Sequence, residues 1–448
     1  MSATTHPPPQ PSSWPPPARR PSTRPPSTSP ESGELERLQE IFDTIEIQDG
    51  SAQATFGEYT LRTAIQPVLS LVHHKPVGHE ALLRAYDQHD RLVAPNRVFM
   101  KAGEDAMLLD QICRALHVQN FALSGLDQGW ILLNVSPRLV LEGHSTRMLL
   151  PRILERHGIP PHRVVVEILE TSVYDEPNLA RSVHFFRELG CLVAIDDFGA
   201  GESNFERIWR IQPDIVKLDR SMVVEATRTR RVRRILPGLV SLLHEAGCLV
   251  VMEGLETSEH ALIALESDAD FVQGYYFGEP RIRLGARDDP QGILSDLLSS
   301  FEERVLAQAA EERDVLSRYR KKFESCAERF QQGAEADSAL AEFNELEAVQ
   351  RCYLVSASGV QVGSNLSARA ARQRPDARYQ PCSDADGANW LRRPYFRRAI
   401  AQPGSVQVSR PYLSIADGRS CITFSIAIPE TRGVRVLCAD LDWETLLG

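Results

Sequence analysis

The sequence predicts an α/β protein whose largest part is a closed barrel of eight strand–helix units, and three observations carry that prediction. Short apolar runs alternate with stretches of helical period from about residue 60 to 285. Eight such runs fit into about 225 residues. Polar side chains stand at the carboxyl ends of at least six of them. Alternating strands and helices need crossover connections and hence a largely parallel sheet, and eight units in that length match a closed barrel. A doubly wound open sheet would gather its chemistry at one or two switch points instead of around a ring of strand ends.

The strand candidates are Ala64 to Leu71, His79 to Leu83, Ile131 to Val135, Val164 to Ile168, Leu192 to Asp196, Asp214 to Leu218, Cys248 to Met252 and Ala269 to Phe277. Helices such as Asn178 to Leu189 and Arg234 to Ala246 lie between them. Upstream, residues 1–32 hold eleven prolines and almost no aliphatic side chain. They read as a disordered tail that can neither sustain helical hydrogen bonding nor bury a core, and they lack the apolar stretch and cleavage site of a signal peptide. A short helix is expected from Gly33, with Leu35, Leu38, Ile41, Phe42 and Ile45 at helical intervals. The barrel domain with this helix is assigned to residues 33–285.

Residues 286–350 read as a helical linker. From Ser299 to Arg351 the chain is rich in Ala, Glu, Arg and Leu and has no proline, with a break expected near Gly333. Leu316, Tyr319, Phe323, Cys326 and Phe330 are spaced 3, 4, 3, 4, an a/d-like stripe that must be covered by its own chain or by a second copy. A homodimer is the expectation. Residues 351–448 carry the β runs Cys352 to Val355, Gly359 to Val362, Val406 to Val408, Cys421 to Ile428 and Val434 to Leu441, with turns at Ser358-Gly359 and Asp417-Gly418. They predict a small antiparallel α+β domain.

A chain of 448 residues suggests two to four domains, and 42% hydrophobic against 25% charged residues is the balance of a folded soluble chain. Sixty acidic side chains against fifty Lys and Arg give a net charge of -10, which excludes broad attraction to DNA, RNA or an anionic membrane as the main mode of action. The cluster Arg228, Arg230, Arg231, Arg233 and Arg234 reads as a solvated helix start without the aromatic interleaving of a strand-binding groove. The eight Cys form no CxxC pair, and no run approaches the length of a transmembrane segment. A reduced, cytoplasmic protein is expected.

The chemistry lies in one set of residues. Glu80, Asn134, Glu167, Asp196, Asp197, Lys217, Asp219, Glu253 and Gln273 all fall within or at the ends of apolar runs. A single acid at a strand end is commonly a helix cap or a surface ion pair. The set is different, because strand alternation puts Glu167 on the face of Val165, Asp196 on that of Ala194, and Lys217 on that of Ile215 and Asp219. Isolated carboxylates in such an interior cost on the order of several kcal/mol each. One lysine cannot neutralise six acids, so divalent cations are the simplest source of the missing charge. All-oxygen ligands point to Mg²⁺ or Mn²⁺ over a zinc site. The neighbours Asp196 and Asp197 can bridge two ions, a geometry suited to clamping a phosphoryl group. Arg84, on the face of Glu80 and Leu82, suits a phosphate oxygen or else a salt bridge at the barrel rim.

HEALLR at 79–84 resembles the signature of the EAL-domain family, bacterial phosphodiesterases of the second messenger cyclic di-GMP. LLNVS at 132–136, VEILE at 166–170, DDFGAG at 196–201, PDIVKLD at 213–219, MEGLET at 252–257 and QGYYFGEP at 273–280 are similar in the same order, over about half the chain. The resemblance implies a modified TIM-type (β/α)8 barrel with one antiparallel strand, two Mg²⁺ or Mn²⁺ ions per barrel, and hydrolysis of cyclic di-GMP to linear pGpG. It implies Glu80, Asn134, Glu167 and Asp196 as ligands of one ion and Asp196 and Asp197 as ligands of the other, with Glu253 nearby through water. Lys217 matches the family's water-activating lysine, or an electrostatic anchor. Glu170 matches the glutamate that holds the loop after DDFG. Gln273 and Asp219 match residues near the attacking water, and Gln66, Leu82, Arg84 and Asn134 line the substrate side.

Two positions depart from the family pattern. Leu169 stands where the family's ExTE has a hydroxyl, and Glu202 where DFGxGYSS has an aromatic. Neither deletes a ligand. The alternative to an enzyme is a non-catalytic cyclic di-GMP receptor or adaptor, and no GGDEF-like block supports synthesis of the dinucleotide. YLVSASG at 353–359, WLRRPYF at 390–396, SRPYLS at 409–414 and ITFSIAI at 422–428 resemble a PAS/Cache-like sensory domain. That resemblance makes Arg410, Tyr412 and Asp440 candidates for a pocket holding an unknown small ligand; the other reading is a packing or dimerisation module.

Overall fold

A computed structural model describes residues 30–126, 128–135, 149–169, 176–201, 205–282, 290–367, 385–430 and 433–447. The chain divides into two compact units, the first ending at Phe301 and the second beginning at Glu302. The strands of the first unit are β1 (Ile45–Gln48), β2 (Ser51–Phe56), β3 (Tyr59–Ser70), β4 (Lys75–Tyr86), β5 (Leu92–Val93), β6 (Trp130–Asn134), β7 (Val164–Leu169), β8 (Leu192–Phe198), β9 (Ile215–Leu218), β10 (Leu249–Met252) and β11 (Phe271–Val272).

Eight of them close a ring in the order β3-β11-β10-β9-β8-β7-β6-β4, with β4 pairing back onto β3. Neighbours are parallel except at β3, which is antiparallel to both β4 and β11. The cause is local: β3 and β4 are joined by the tight turn Leu71 to His74, where His74 takes a positive φ of 53°, and a hairpin needs no crossover helix. The result is a distorted, mixed eight-stranded barrel.

In the first unit, strands β1, β2 and β5 were not legible in advance. The first helix spans Pro30–Asp43, so Ile45 opens β1 instead of closing the helical stripe, and β1 and β2 form a hairpin on the outer edge of β3. The last barrel run, expected from Ala269 to Phe277, is a strand only at Phe271–Val272. Gly274 ends it: a Cβ there would lie 2.2 Å from the backbone of Leu255, and only glycine allows that approach.

The barrel interior is layered. Val68, Leu132, Val165, Ala194, Ile215, Val251 and Phe271 form one buried apolar tier. In β4 the equivalent position is Gly78, where a Cβ would meet Leu132 Cδ1 at 2.8 Å. Two positions farther along each strand toward the mouth stand Gln66, Glu80, Asn134, Glu167, Asp196, Lys217, Glu253 and Gln273. Side chains two apart share a face of a strand, so the polar tier lies directly over the apolar one. A larger core outside the barrel fills the space between strands and helices.

The second unit holds the rest of the long helix Pro290–Gln331, the helix Ala336–Asn344 and strands β12 (Val349–Ser356), β13 (Gln361–Ser367), β14 (Gln407–Val408), β15 (Tyr412–Leu413), β16 (Ser420–Glu430) and β17 (Gly433–Asp442). Their order is β13-β12-β17-β16-β14, with β15 on β16. Helix was expected to about Arg351, but it stops at Asn344, and Val349 begins a strand registered on Leu441. Cross-strand pairing outweighs the helical propensity of Glu345 to Ala348. The break at Gly333, with φ of 98°, is where the sequence put it.

The stripe at Leu316 to Phe330 packs inside this unit. Phe323, Cys326 and Phe330 are buried with Val349, Cys352, Phe424 and Ile426, and Leu316 and Tyr319 lie against the same core. Phe323 sits 5.2 Å from Phe343 and 5.9 Å from Phe424, ring centre to ring centre. Its own chain covers the stripe, which removes it as a dimer seam. Seven cysteines among the described residues are buried and unpaired to one another. No described helix is long and apolar enough to cross a membrane.

Candidate functional site

Lys217, in β9, is 1% exposed and is the centre of the polar tier. Its Nζ lies 2.5 Å from Glu253 Oε1, 2.6 Å from Glu167 Oε1, 3.2 Å from Asp196 Oδ1 and 3.4 Å from Glu80 Oε2. Burial works against its charge, but Glu167, Glu253, Glu80 and Asp196 outweigh that and hold the ammonium well above the usual lysine range. Four strands thus contribute acids that meet on one lysine from a fifth.

Each acid is held differently. Glu80 is buried, yet its pKa is lowered: burial is overcome by Lys217 and by amide donors. Those donors are Asn134 Nδ2, 2.8 Å from Oε1, and Gln273 Nε2, 2.7 Å from Oε2. Gln273 is oriented in turn, because its Nε2 also donates to Gln66 Oε1 at 3.2 Å and Gln66 Nε2 donates to the carbonyl of Gly278 at 3.0 Å. Glu167 is pushed well above the carboxylate range by burial and by Glu80, and Glu253 by burial and by Asp196 and Glu80 despite Lys217. Asp197 is raised by burial and by Asp196 and Asp219.

Asp196 and Asp197 form a bulge near the end of β8, where the register against β9 shifts between Ile195 and Phe198. Asp197 has φ of 57°, a left-handed conformation that aspartate tolerates better than most residues. The turn brings consecutive carboxylates to one side, as the DD pair suggested. Ligand oxygens of Glu80, Glu167 and Glu253 lie within 4.8 Å of one another, and so do those of Asp196, Asp197 and Glu253. The two groups share Glu253. Sequence reasoning made Asp196 the shared ligand and left Glu253 farther off.

These residues fit divalent cations. Five carboxylates face one ammonium. Glu167 Oε2 is buried with no hydrogen-bond partner among the described residues, while Glu167 Oε1 and Glu253 Oε1 meet the single ammonium of Lys217, and an under-satisfied, all-oxygen donor set is what hard cations require. Asn134 donates through Nδ2 and so has its carbonyl oxygen available to the same cluster.

Other expected residues stand apart. Leu82 and Arg84 lie beyond Ala81, the last residue of β4 that pairs with β6. Both are half-buried on the long β3–β4 hairpin, with Arg84 roughly 13 Å along the strand from Glu80. Arg84 Nη1 donates to the carbonyl of Leu83 at 3.0 Å. Asp219 caps the helix Arg220–Arg228 through Ser221 N at 2.9 Å, so one of its oxygens is engaged in the fold. Leu169 is half-buried opposite Asp196 in the register. Glu170 and Glu202 lie outside the described residues. In the second unit, Tyr412 and Asp440 line a recess, while Arg410 is exposed and is not among the residues lining it. Sequence reasoning missed Arg351, Tyr353 and Tyr395, which share that recess; the Tyr in YLVSASG and the PYF in WLRRPYF were the available signals.

The comparisons with known proteins agree with this geometry. The model of the EAL domain matches residues 50–280. An uncharacterised protein of Azorhizobium caulinodans is 31% identical over 232 residues, which are 48% of this chain and 30% of that protein. The cyclic di-GMP phosphodiesterase RocR of Pseudomonas aeruginosa is 29% identical over 257 residues, 55% of this chain and 64% of that protein. The chain therefore spans less than two thirds of these curated relatives. The crystal structure of the Bacillus subtilis YkuI protein, with an EAL domain, in complex with substrate c-di-GMP and calcium, shares the fold with a TM-score of 0.72 at 21% identity, over 92% of this chain and 98% of that one. With the family model covering just over half of its length and the acid ring in place, this chain belongs to the EAL-domain family.

Proposed function

We propose that the chain hydrolyses cyclic di-GMP to linear pGpG as a two-metal phosphodiesterase that takes Mg²⁺ or Mn²⁺. The observation that carries this reading is the pair of three-acid groups sharing Glu253 around the buried Lys217. Glu80, Glu167 and Glu253, with Asn134, would hold one ion, and Asp196, Asp197 and Glu253 the other. When bound, the two cations supply Lewis acidity that activates water and offsets charge on the phosphodiester.

The chain's own residues do the rest. Lys217, ion-paired with Glu253, Glu167, Asp196 and Glu80, would serve as an electrostatic anchor that offsets charge in the transition state. Gln66 and Gln273 fix the Glu80 carboxylate in one orientation, so the site is arranged before substrate arrives. Arg84 and Leu82, farther out on the β3–β4 hairpin, offer a guanidinium for a phosphate oxygen and an apolar surface beneath a base. Water cuts one P–O bond of the ring and leaves a linear dinucleotide.

The reading also takes the enzyme as a cytoplasmic homodimer and the second unit as a PAS/Cache-like sensory domain that modulates turnover. The exposed Trp209, Ile235 and Leu242 of the first unit offer apolar surface for self-association, and the polar, aromatic recess of the second unit supports a sensory role. Purified protein given cyclic di-GMP with Mg²⁺ or Mn²⁺ should release pGpG, resolved by anion-exchange chromatography, and a chelator should abolish it. Tight binding of cyclic di-GMP without pGpG under the same conditions would assign the receptor role instead.

A further inference from the structure

Glu253 belongs to both acid groups, so the position of its carboxylate governs both halves of the centre. It is also the least enclosed of the four acids that touch Lys217: its side chain is 18% exposed, against 9% for Glu80, 0% for Glu167 and 10% for Asp196. Glu253 lies one residue beyond the end of β10, at the head of the loop that leads to the helix Ser258–Glu266. What holds that loop decides where the shared carboxylate points.

Two segments hold it. From the segment after β11, the Gln273 carbonyl accepts from Leu255 N at 3.1 Å, and Tyr276 N donates to the Leu255 carbonyl at 2.9 Å. From the segment after β9 comes Arg220, the first residue of the helix Arg220–Arg228. Gly254 has φ of 61°, and a Cβ there would lie 2.5 Å from Arg220 Cβ and 2.8 Å from its Cγ. The aliphatic stem of Arg220 thus packs on the bare backbone of Gly254, an approach that needs glycine. Beyond the stem, Nη2 of Arg220 is 2.6 Å from Glu256 Oε2. The amide of Glu256 donates in turn to His260 Nδ1 at 3.3 Å.

The spacing is the same on both segments. Lys217 and Arg220 are three residues apart, and so are Glu253 and Glu256. Lys217 pairs with Glu253 inside the barrel at 2.5 Å, and Arg220 pairs with Glu256 at the surface. An ion pair with 49% and 38% of its side chains in solvent adds little to global stability. Seated on the residue next to Glu253, it instead restricts where that carboxylate can go.

We infer that Arg220 and Glu256 are positioning residues of the metal centre, which clamp the turn at Gly254 and so keep the Glu253 carboxylate aimed into both acid groups. The inference rests on the two-metal reading of the barrel. Neither residue acts as a ligand; each acts through Glu253, as partners outside a ligand set commonly do.

The test is calorimetric titration of Mn²⁺ into metal-free wild type, Arg220→Met, Glu256→Gln and the exchanged pair Arg220→Glu with Glu256→Arg, with pGpG release and thermal unfolding followed on the same samples. Methionine keeps an unbranched stem over Gly254 and removes the charge. Each single variant should weaken Mn²⁺ binding about fivefold, the upper end for an exposed pair. Each should raise the Mn²⁺ needed for half-maximal turnover by the same factor and leave the unfolding temperature of the metal-free protein unchanged. The exchanged pair should recover most of the lost affinity, which a merely structural contact would not do. Wild-type Mn²⁺ affinity in both single variants, or a loss that the exchanged pair does not recover, would overturn the inference. Wild-type protein that takes up no Mn²⁺ fails the two-metal reading itself, and the inference with it.

Discussion

Lys217 touches four carboxylates from inside the barrel, so Lys217→Met leaves the cluster with no protein cation. Breaking a buried ion pair by removing one partner costs about 3–5 kcal/mol. The variant should therefore unfold at a markedly lower temperature in chelator, and Mn²⁺ should restore part of the loss; a chelator melt matching the wild type would contradict the geometry. Its turnover should fall by about 10²-fold or more, with a smaller loss of metal affinity. Glu80→Ala should instead lower metal affinity and turnover together, measured by Mn²⁺ titration and product formation. At this scale the sequence was most legible where strand alternation applies: Glu80, Glu167, Asp196 and Lys217 sit one tier above Gly78, Val165, Ala194 and Ile215. It was silent on the amide relay from Gly278 through Gln66 and Gln273, because 207 residues separate those two glutamines. Asp219 takes the helix-cap role that a single acid at a strand end commonly has.

Elements are tied together by buried side chains that titrate or fill space. His117, on the helix Ala106–Leu123, places Nδ1 2.8 Å from Thr63 Oγ1 of β3. Burial pushes its pKa down to about 4, with Glu80 pulling weakly the other way. The unfolded chain then takes up a proton first. The contribution of His117 is complete above an unfolded pKa of about 6.5 and is lost as pH falls toward about 4. Its size is about 3 kcal/mol, and denaturant unfolding of wild type and His117→Gln should show a stability difference that shrinks over that window. In the second unit, Phe323 is fully buried between Phe343 and Phe424. Phe323→Ala should destabilise that unit by about 3–5 kcal/mol and leave the oligomeric mass unchanged in light scattering. The 3, 4, 3, 4 spacing revealed a buried face but not what covers it, since periodicity carries no information about the partner surface. The short strands β1, β2 and β5 escaped for a related reason: two to six residues are too few for a period of two to stand out.

For the whole molecule, strand–helix alternation predicted a closed barrel, and the family resemblance carried by seven ordered blocks implied its one reversed strand, which the ring order has at β3. The second unit was legible as strands and turns, but its strand order depends on pairings between distant segments, such as Val349 with Leu441. The central claim is that two overlapping acid groups, joined by Glu253 and anchored by Lys217, form a two-metal phosphodiesterase centre. The measurement that tests it most directly follows product from cyclic di-GMP while Mn²⁺ is titrated into metal-free protein. The account predicts pGpG, with turnover rising as the second equivalent of Mn²⁺ binds and absent in Glu253→Gln. Two equivalents bound with cyclic di-GMP intact, or full turnover at one equivalent, would contradict it.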